Sequence, residues 1–259
     1  MMNRRQALKA GSVLGAGLVA SNAARADEVG QGIAEIRMKS VRLDDLRRFY
    51  EEQLGLSVSM DGDNITIEAG TTRLIFSPSE ASEEEPFYHY AFNIPENKIE
   101  TALQWQKERT PLLRRGNKEL IHFKDINAHS VYFNDPAGNI VEYIARHDLD
   151  NAAKGGFGPK DILYASEIGL VVDDVAQTQS DIKDSLGLTG FPGSYRSHSF
   201  SPVGDAHALL ILVKRDRKWF PNQKQAAKVH PVEAMIRGAG ERQLRDADLK
   251  FQVDLISAD

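Results

Sequence analysis

From Glu35-Ile36 onward the chain alternates in hydropathy, and then apolar residues fall at helical spacing, Leu43, Leu46, Phe49, Tyr50 and Leu54, with Gly55 where a helix end is capped. The pattern predicts a strand, a helix and a stop, followed by short alternating strands over 64–68 and 73–76. The same order returns later. Glu167-Ile168 opens an extended stretch, Asp173 or Asp174 can cap a helix carrying Val175, Ile182 and Leu186, Leu186-Gly187-Leu188 closes it, and 208–213 alternates. Glu and Gly are 20 residues apart in both copies, the mark of an internal repeat. Between the copies, 88–94 reads as a strand and 99–107 as a helix with Ile99, Ala102 and Leu103 inward. Strands at 130–134 and 139–145 are joined by Asp135-Pro136-Ala137-Gly138. Pro at the second place and Gly at the fourth fit a type I turn. Residues 151–160 contain Gly155, Gly156, Gly158 and Pro159 without apolar periodicity and read as a linker.

Composition narrows the chemistry. The 259 residues are 41% hydrophobic and 27% charged, as in ordinary globular chains. Lys and Arg number 32 against 37 Asp and Glu, so no basic surface suits a nucleic acid partner. The absence of cysteine excludes disulfides, thiolate metal sites and cysteine nucleophiles. Residues 1–26 are set apart: Arg4-Arg5, Lys9, an uncharged run and Ala24-Arg25-Ala26 before Asp27 have the order of a twin-arginine export signal. This predicts the twin-arginine translocase as an export partner, cleavage before Asp27 and a periplasmic protein. The apolar run is too short for a stable membrane anchor. Loss of the four basic residues of 1–26 would shift the net charge from −5 to −9.

The segment 33–58, His89-Tyr90-Ala91-Phe92, and Val131-Tyr132-Phe133-Asn134-Asp135-Pro136-Ala137-Gly138-Asn139 ending in Glu142 resemble the vicinal oxygen chelate superfamily, which includes glyoxalase I, fosfomycin-resistance proteins, extradiol dioxygenases and bleomycin-binding proteins. The resemblance implies an α+β fold in which paired βαβββ modules form a curled mixed-sheet cup around a divalent metal. It covers 33–147, and a module near Ile162 resembles a third copy. Beyond Lys214 the pattern fades, which predicts a degenerate second copy. The expected domains are a vicinal oxygen chelate domain at 27–150, the linker 151–160 and the degenerate copy at 161–259.

Carried over by position, the resemblance places metal ligands at Glu35, His89 and Glu142, with no donor on 73–76 for a fourth. Such a set suits Fe, Mn, Mg, Ni or Zn. The residues also have plainer readings. Glu142 shares its strand face with Ile140 and Ile144, where a carboxylate is costly unless paired or ligating. His89 lies on a mixed face with Phe87, Ala91 and Asn93, as a core histidine also would. Glu35 alternates with Arg37 and Lys39 and fits a charge ladder as well as a ligand or a catalytic general base. Glu167, His207 and His230 lack the defining turn, so the second half is expected to pack rather than ligate. Trp219-Phe220-Pro221, after the basic run 214–218, reads as an aromatic lip or as loop packing. Two functions follow: a metal-dependent lyase or dioxygenase acting on a small oxygen-rich substrate, or a metal-free protein enclosing a small molecule. A third reading is an interaction module whose degenerate half forms a homodimer interface.

Overall fold

A computed structural model describes residues 32–80, 85–238 and 240–257. The export signal read at 1–26 lies outside the described residues.

The chain forms a mixed α+β structure whose single 15-stranded sheet is not closed into a barrel. It is built from one unit repeated with variations. The first unit is β1 (Ile33–Ser40), α1 (Leu43–Arg48), β2 (Ser57–Asp61), β3 (Asn64–Ala69) and β4 (Thr72–Pro78). A π-helical turn, Phe49–Gln53, extends α1 and brings Phe49, Tyr50 and Leu54 to the buried side. Helical spacing of apolar residues over 43–54 therefore survives in packing, although the hydrogen-bond pattern changes midway.

The second unit is β5 (His89–Ile94), α2 (Ile99–Lys107), β6 (Leu112–Leu113), β7 (Ile121–Phe123), β8 (Ala128–Asn134) and β9 (Ile140–Arg146). The turn before β9 is fixed from within. Gly138 N–H donates to the Asp135 carbonyl, and the Asp135 carboxylate accepts from the N–H groups of Ala137 and Asn139. Its other oxygen accepts from Asn139 Nδ2 and from the buried hydroxyls of Tyr50 and Tyr90, 3.0 and 2.9 Å away. One carboxylate thus ties the turn to the first helix and to β5. Burial pushes Asp135 up to about 6, against the opposing pull of its hydrogen bonds from Asn139, Tyr90 and Tyr50.

The third unit is β10 (Tyr164–Val172), α3 (Val175–Leu186), β11 (Phe200–Gly204) and β12 (Leu209–Lys214). Asp174 caps α3 through the N–H groups of Ala176 and Gln177, and Gly187 ends it in the left-handed conformation. The fourth unit keeps only strands among the described residues, β13 (Val232–Gly238), β14 (Arg242–Asp246) and β15 (Phe251–Ser257).

Each unit lays its first strand parallel to its last: β1 with β4, β5 with β9, β10 with β12 and β13 with β15. Between units the first strands pair antiparallel, β5 with β10 and β1 with β13. The second unit therefore pairs with the third and the first with the fourth, and the segment 151–160 packs on the start of α2. That segment is ordered by a buried lysine. Lys98 Nζ donates to the carbonyls of Lys154 and Gly156 and to Asp161 Oδ1, at 3.1, 2.8 and 3.0 Å. Phe157 packs on Trp105 and Tyr143.

Candidate metal centre

Register alone assembles the site. On β5, Ala91 lies opposite Glu142 of β9 on one side and opposite Glu167 of β10 on the other. His89, two residues earlier, shares the face of Ala91 because side chains alternate along a strand. The small, fully buried Ala91 leaves room between the two carboxylates.

His89 Nε2 lies 3.6 Å from Glu142 Oε2 and 3.9 Å from Glu167 Oε2. Among the described residues, these three are the group whose ligand atoms converge closely enough to hold one metal ion, and all three are buried. The separations are close to those between neighbouring donors around a common ion with bonds of about 2.0–2.2 Å. His89 Nδ1 is 3.0 Å from the Ile140 carbonyl, the partner that makes it the protonated nitrogen and turns the bare Nε2 toward the carboxylates. Burial pulls the His89 pKa down to about 4, with the Ile140 hydrogen bond opposing, so the ring is neutral at physiological pH.

The two carboxylates differ in company. Glu167 Oε1 is 2.5 Å from Arg146 Nη2, and Arg146 is itself buried over Phe191. Burial raises Glu167 and Arg146 pulls it back. Glu142 is held well above the usual carboxylate range, first by burial and then by the charge of Glu167, while the hydroxyls of Ser130 and Tyr132 and the charge of Arg146 act the other way. One guanidinium for two buried carboxyl groups leaves Glu142 without a counter-charge, so it holds a proton that a divalent cation would displace.

These residues close one end of a cavity of about 640 Å³. Its walls include Phe123, Tyr132, Phe191, Phe200, Trp219 and Phe220, so the aromatic lip read at 219–221 does line the cup. Trp219 stands 5.4 Å from His89, ring to ring. Gly169 permits this, since a Cβ there would come within 2.7 Å of the indole.

The sequence-derived ligands thus divide. His89 and Glu142 come together, whereas Glu35 lies apart. Its buried carboxylate is paired with Arg37 and Arg73, each at 2.6 Å. The cause is again register: Glu35 is opposite Arg73 on β4, where Glu167 has Leu209 on β12, and opposite Met235 on β13, where Glu167 has Ala91 on the strand that carries His89. The expectation that Glu167 only packs is corrected. It lacks the Asp-Pro-x-Gly-Asn turn in its own unit, but it borrows the turn of the second unit by pairing β10 with β5. The Glu-Ile repeat at 35 and 167 carried the signal, and strand pairing chose which copy meets His89. Arg146 was missed, though it lies four residues beyond Glu142 on the same strand face.

No protein-family model matches the chain, and no curated protein matches it in sequence. The fold is nonetheless that of the vicinal oxygen chelate proteins. A putative dioxygenase from Bacillus subtilis subsp. subtilis str. 168 superposes with a TM-score of 0.56 at 15% identity, over 88% of this chain and 85% of that one. Glyoxalase I from Zea mays gives 0.53 at 14% identity, over 88% and 92% of the two chains. Its V278E mutant gives 0.53 at 14%, over 91% and 97%.

Proposed function

We propose that this chain is a metal-dependent enzyme of the glyoxalase-like fold, in which His89, Glu142 and Glu167 hold one divalent ion, drawn from Fe, Mn, Mg, Ni and Zn. When bound, that ion supplies Lewis acidity toward neighbouring oxygens of a small substrate, as lyase and dioxygenase chemistry of this fold class requires. The observation that carries the reading is Glu142, a buried carboxylate beside a second one, with a neutral imidazole nitrogen turned toward both. The chain's own residues do the rest. Ile140 fixes the His89 tautomer, Arg146 orients Glu167, and Trp219 and Phe220 give the cavity aromatic walls. The names of the structural neighbours, a dioxygenase and glyoxalase I, are compatible with this reading.

The test is elemental analysis of protein purified without chelator, with melting followed in Mn²⁺, Fe²⁺, Co²⁺, Ni²⁺ and Zn²⁺. About one metal per chain is expected, lost in His89→Ala, Glu142→Gln and Glu167→Gln but kept in Glu35→Gln. Wild-type protein that carries no metal and gains no stability from any of these ions would leave the alternative, a metal-free protein enclosing a small molecule. The aromatic cavity suits that second reading equally well.

A further inference from the structure

The basic run 214–218 has no part in metal binding, yet one of its members faces the cavity. Arg217 N–H donates to the Lys214 carbonyl, the Arg217 carbonyl accepts from Ala227 N–H, and Trp219 N–H donates to the Gln225 carbonyl. Lys218 and Ala226 form a bridge between these bonds. In this extended stretch Arg217 and Trp219 point one way and Lys218 the other. Arg217 and Trp219 accordingly line the cavity, and Lys218 is exposed.

The Arg217 guanidinium lies 5.0 Å over the Phe200 ring. It is half-buried, burial pulls its pKa down, and the only group that opposes this is Tyr195; among the described residues no carboxylate does. A second guanidinium, Arg115, lies 5.5 Å over Phe220 at the same cavity. Lys124 and Asp125 also line it, so three cationic side chains, Arg115, Lys124 and Arg217, share the cavity with three acidic ones, Asp125 and the candidate ligands Glu142 and Glu167. A half-exposed guanidinium held over an aromatic face, with no protein anion on it, keeps its charge and its donors available to an anionic ligand in the cavity.

We propose that the cavity selects a planar aromatic carboxylic acid, its ring against Phe200, Trp219 and Phe220 and its carboxylate on Arg217, with Arg115 contributing at longer range. The inference rests on the proposed function only in taking this cavity as the substrate site. Its charge selection comes from the wall and not from the ion.

Calorimetry on the full chain tests it with two probes, 2-naphthoate and 2-naphthalenemethanol, in the presence of a chelator so that a carboxylate–metal bond cannot supply the preference, and again without it. The acid is expected to bind about tenfold tighter than the neutral alcohol, the ratio of one charge-assisted hydrogen bond. Arg217→Gln should erase that ratio while leaving the alcohol's Kd unchanged, and Arg217→Lys should keep part of it. Equal binding of the two probes, no binding of either, or a preference that persists in Arg217→Gln overturns the inference. The outcomes separate from those of the metal reading. A metal-free protein that still prefers the acid keeps this inference and loses the other, and a metal-loaded protein without the preference does the reverse.

Discussion

Two buried residues show how strongly single positions are tuned, and in opposite senses. His89 titrates at about 4 in the folded protein against 6.5 for the free side chain. On acidification the unfolded chain takes up this proton first, so metal-free protein loses stability as pH falls from about 6.5 to 4, by up to about 3 kcal/mol. Asp135, raised from 3.8 to about 6, does the reverse. Its contribution is fully present below 3.8 and is lost as pH rises through 6. The two slopes overlap, and a variant separates them. In denaturant titrations of chelated protein, His89→Gln should gain stability relative to wild type as pH falls from about 6.5 to 4, because the opposing Asp135 slope is then left alone. Parallel curves for the two proteins would show that His89 is not held neutral by burial.

At the scale of elements, the segment 151–160 is organised by one side chain from the start of α2. Lys98 is 2% exposed, and its ammonium meets Asp161 and two carbonyls. Removing the cation leaves the Asp161 carboxylate buried with only the Gly158 N–H as donor and frees both carbonyls. Lys98→Met should therefore cost about 3–5 kcal/mol, the range for breaking a buried ion pair from one side. It should also speed proteolysis within 151–160. A melting temperature within a degree of wild type would mean that the segment docks without this ammonium. The Asp135 turn works in the same way, since one carboxylate with five donors sets where β9 begins and hence on which face Glu142 emerges.

Over the whole molecule, the candidate centre depends on pairing across the chain's midpoint. Glu167 reaches His89 and Glu142 because β10 pairs with β5. A chain ending at Lys160 keeps His89 and Glu142 but loses Glu167 and the strand that covers β5. It should lose its metal and its solubility together, measured by elemental analysis and by sedimentation. A soluble fragment with stoichiometric metal would show that the second unit suffices alone. The Arg4-Arg5 and Ala24-Arg25-Ala26 pattern predicts a periplasmic protein beginning at Asp27, with replacement of both arginines by Lys blocking export. N-terminal sequencing of the periplasmic fraction checks it, and an intact Met1 on exported protein would refute cleavage.

The sequence by itself determined the elements and the repeat. The helix at 99–107, the Asp174 cap, the Gly187 stop and the Asp135 turn are local events, decided by capping, backbone conformation and spacing within a few residues. The family resemblance of 33–58, 89–92 and 131–142 put Glu35, His89 and Glu142 forward together, and strand alternation added that the Glu142 carboxylate points inward. The fourth unit faded because it keeps no helix after β13, and strands alone carry a weaker periodic signal over short runs. Only the tertiary structure decided between Glu35 and Glu167. Both open a strand with the same Glu-Ile pair, but Arg37 follows Glu35 on its own strand where Gly169 follows Glu167. Pairing adds the rest: Arg73 on β4 gives Glu35 a second guanidinium, whereas β5 brings His89, Ala91 and, beyond Ala91, Glu142 to the side of Glu167. Strand pairing between residues far apart in sequence follows from how whole apolar faces cover one another, and that sum is not written at any single position.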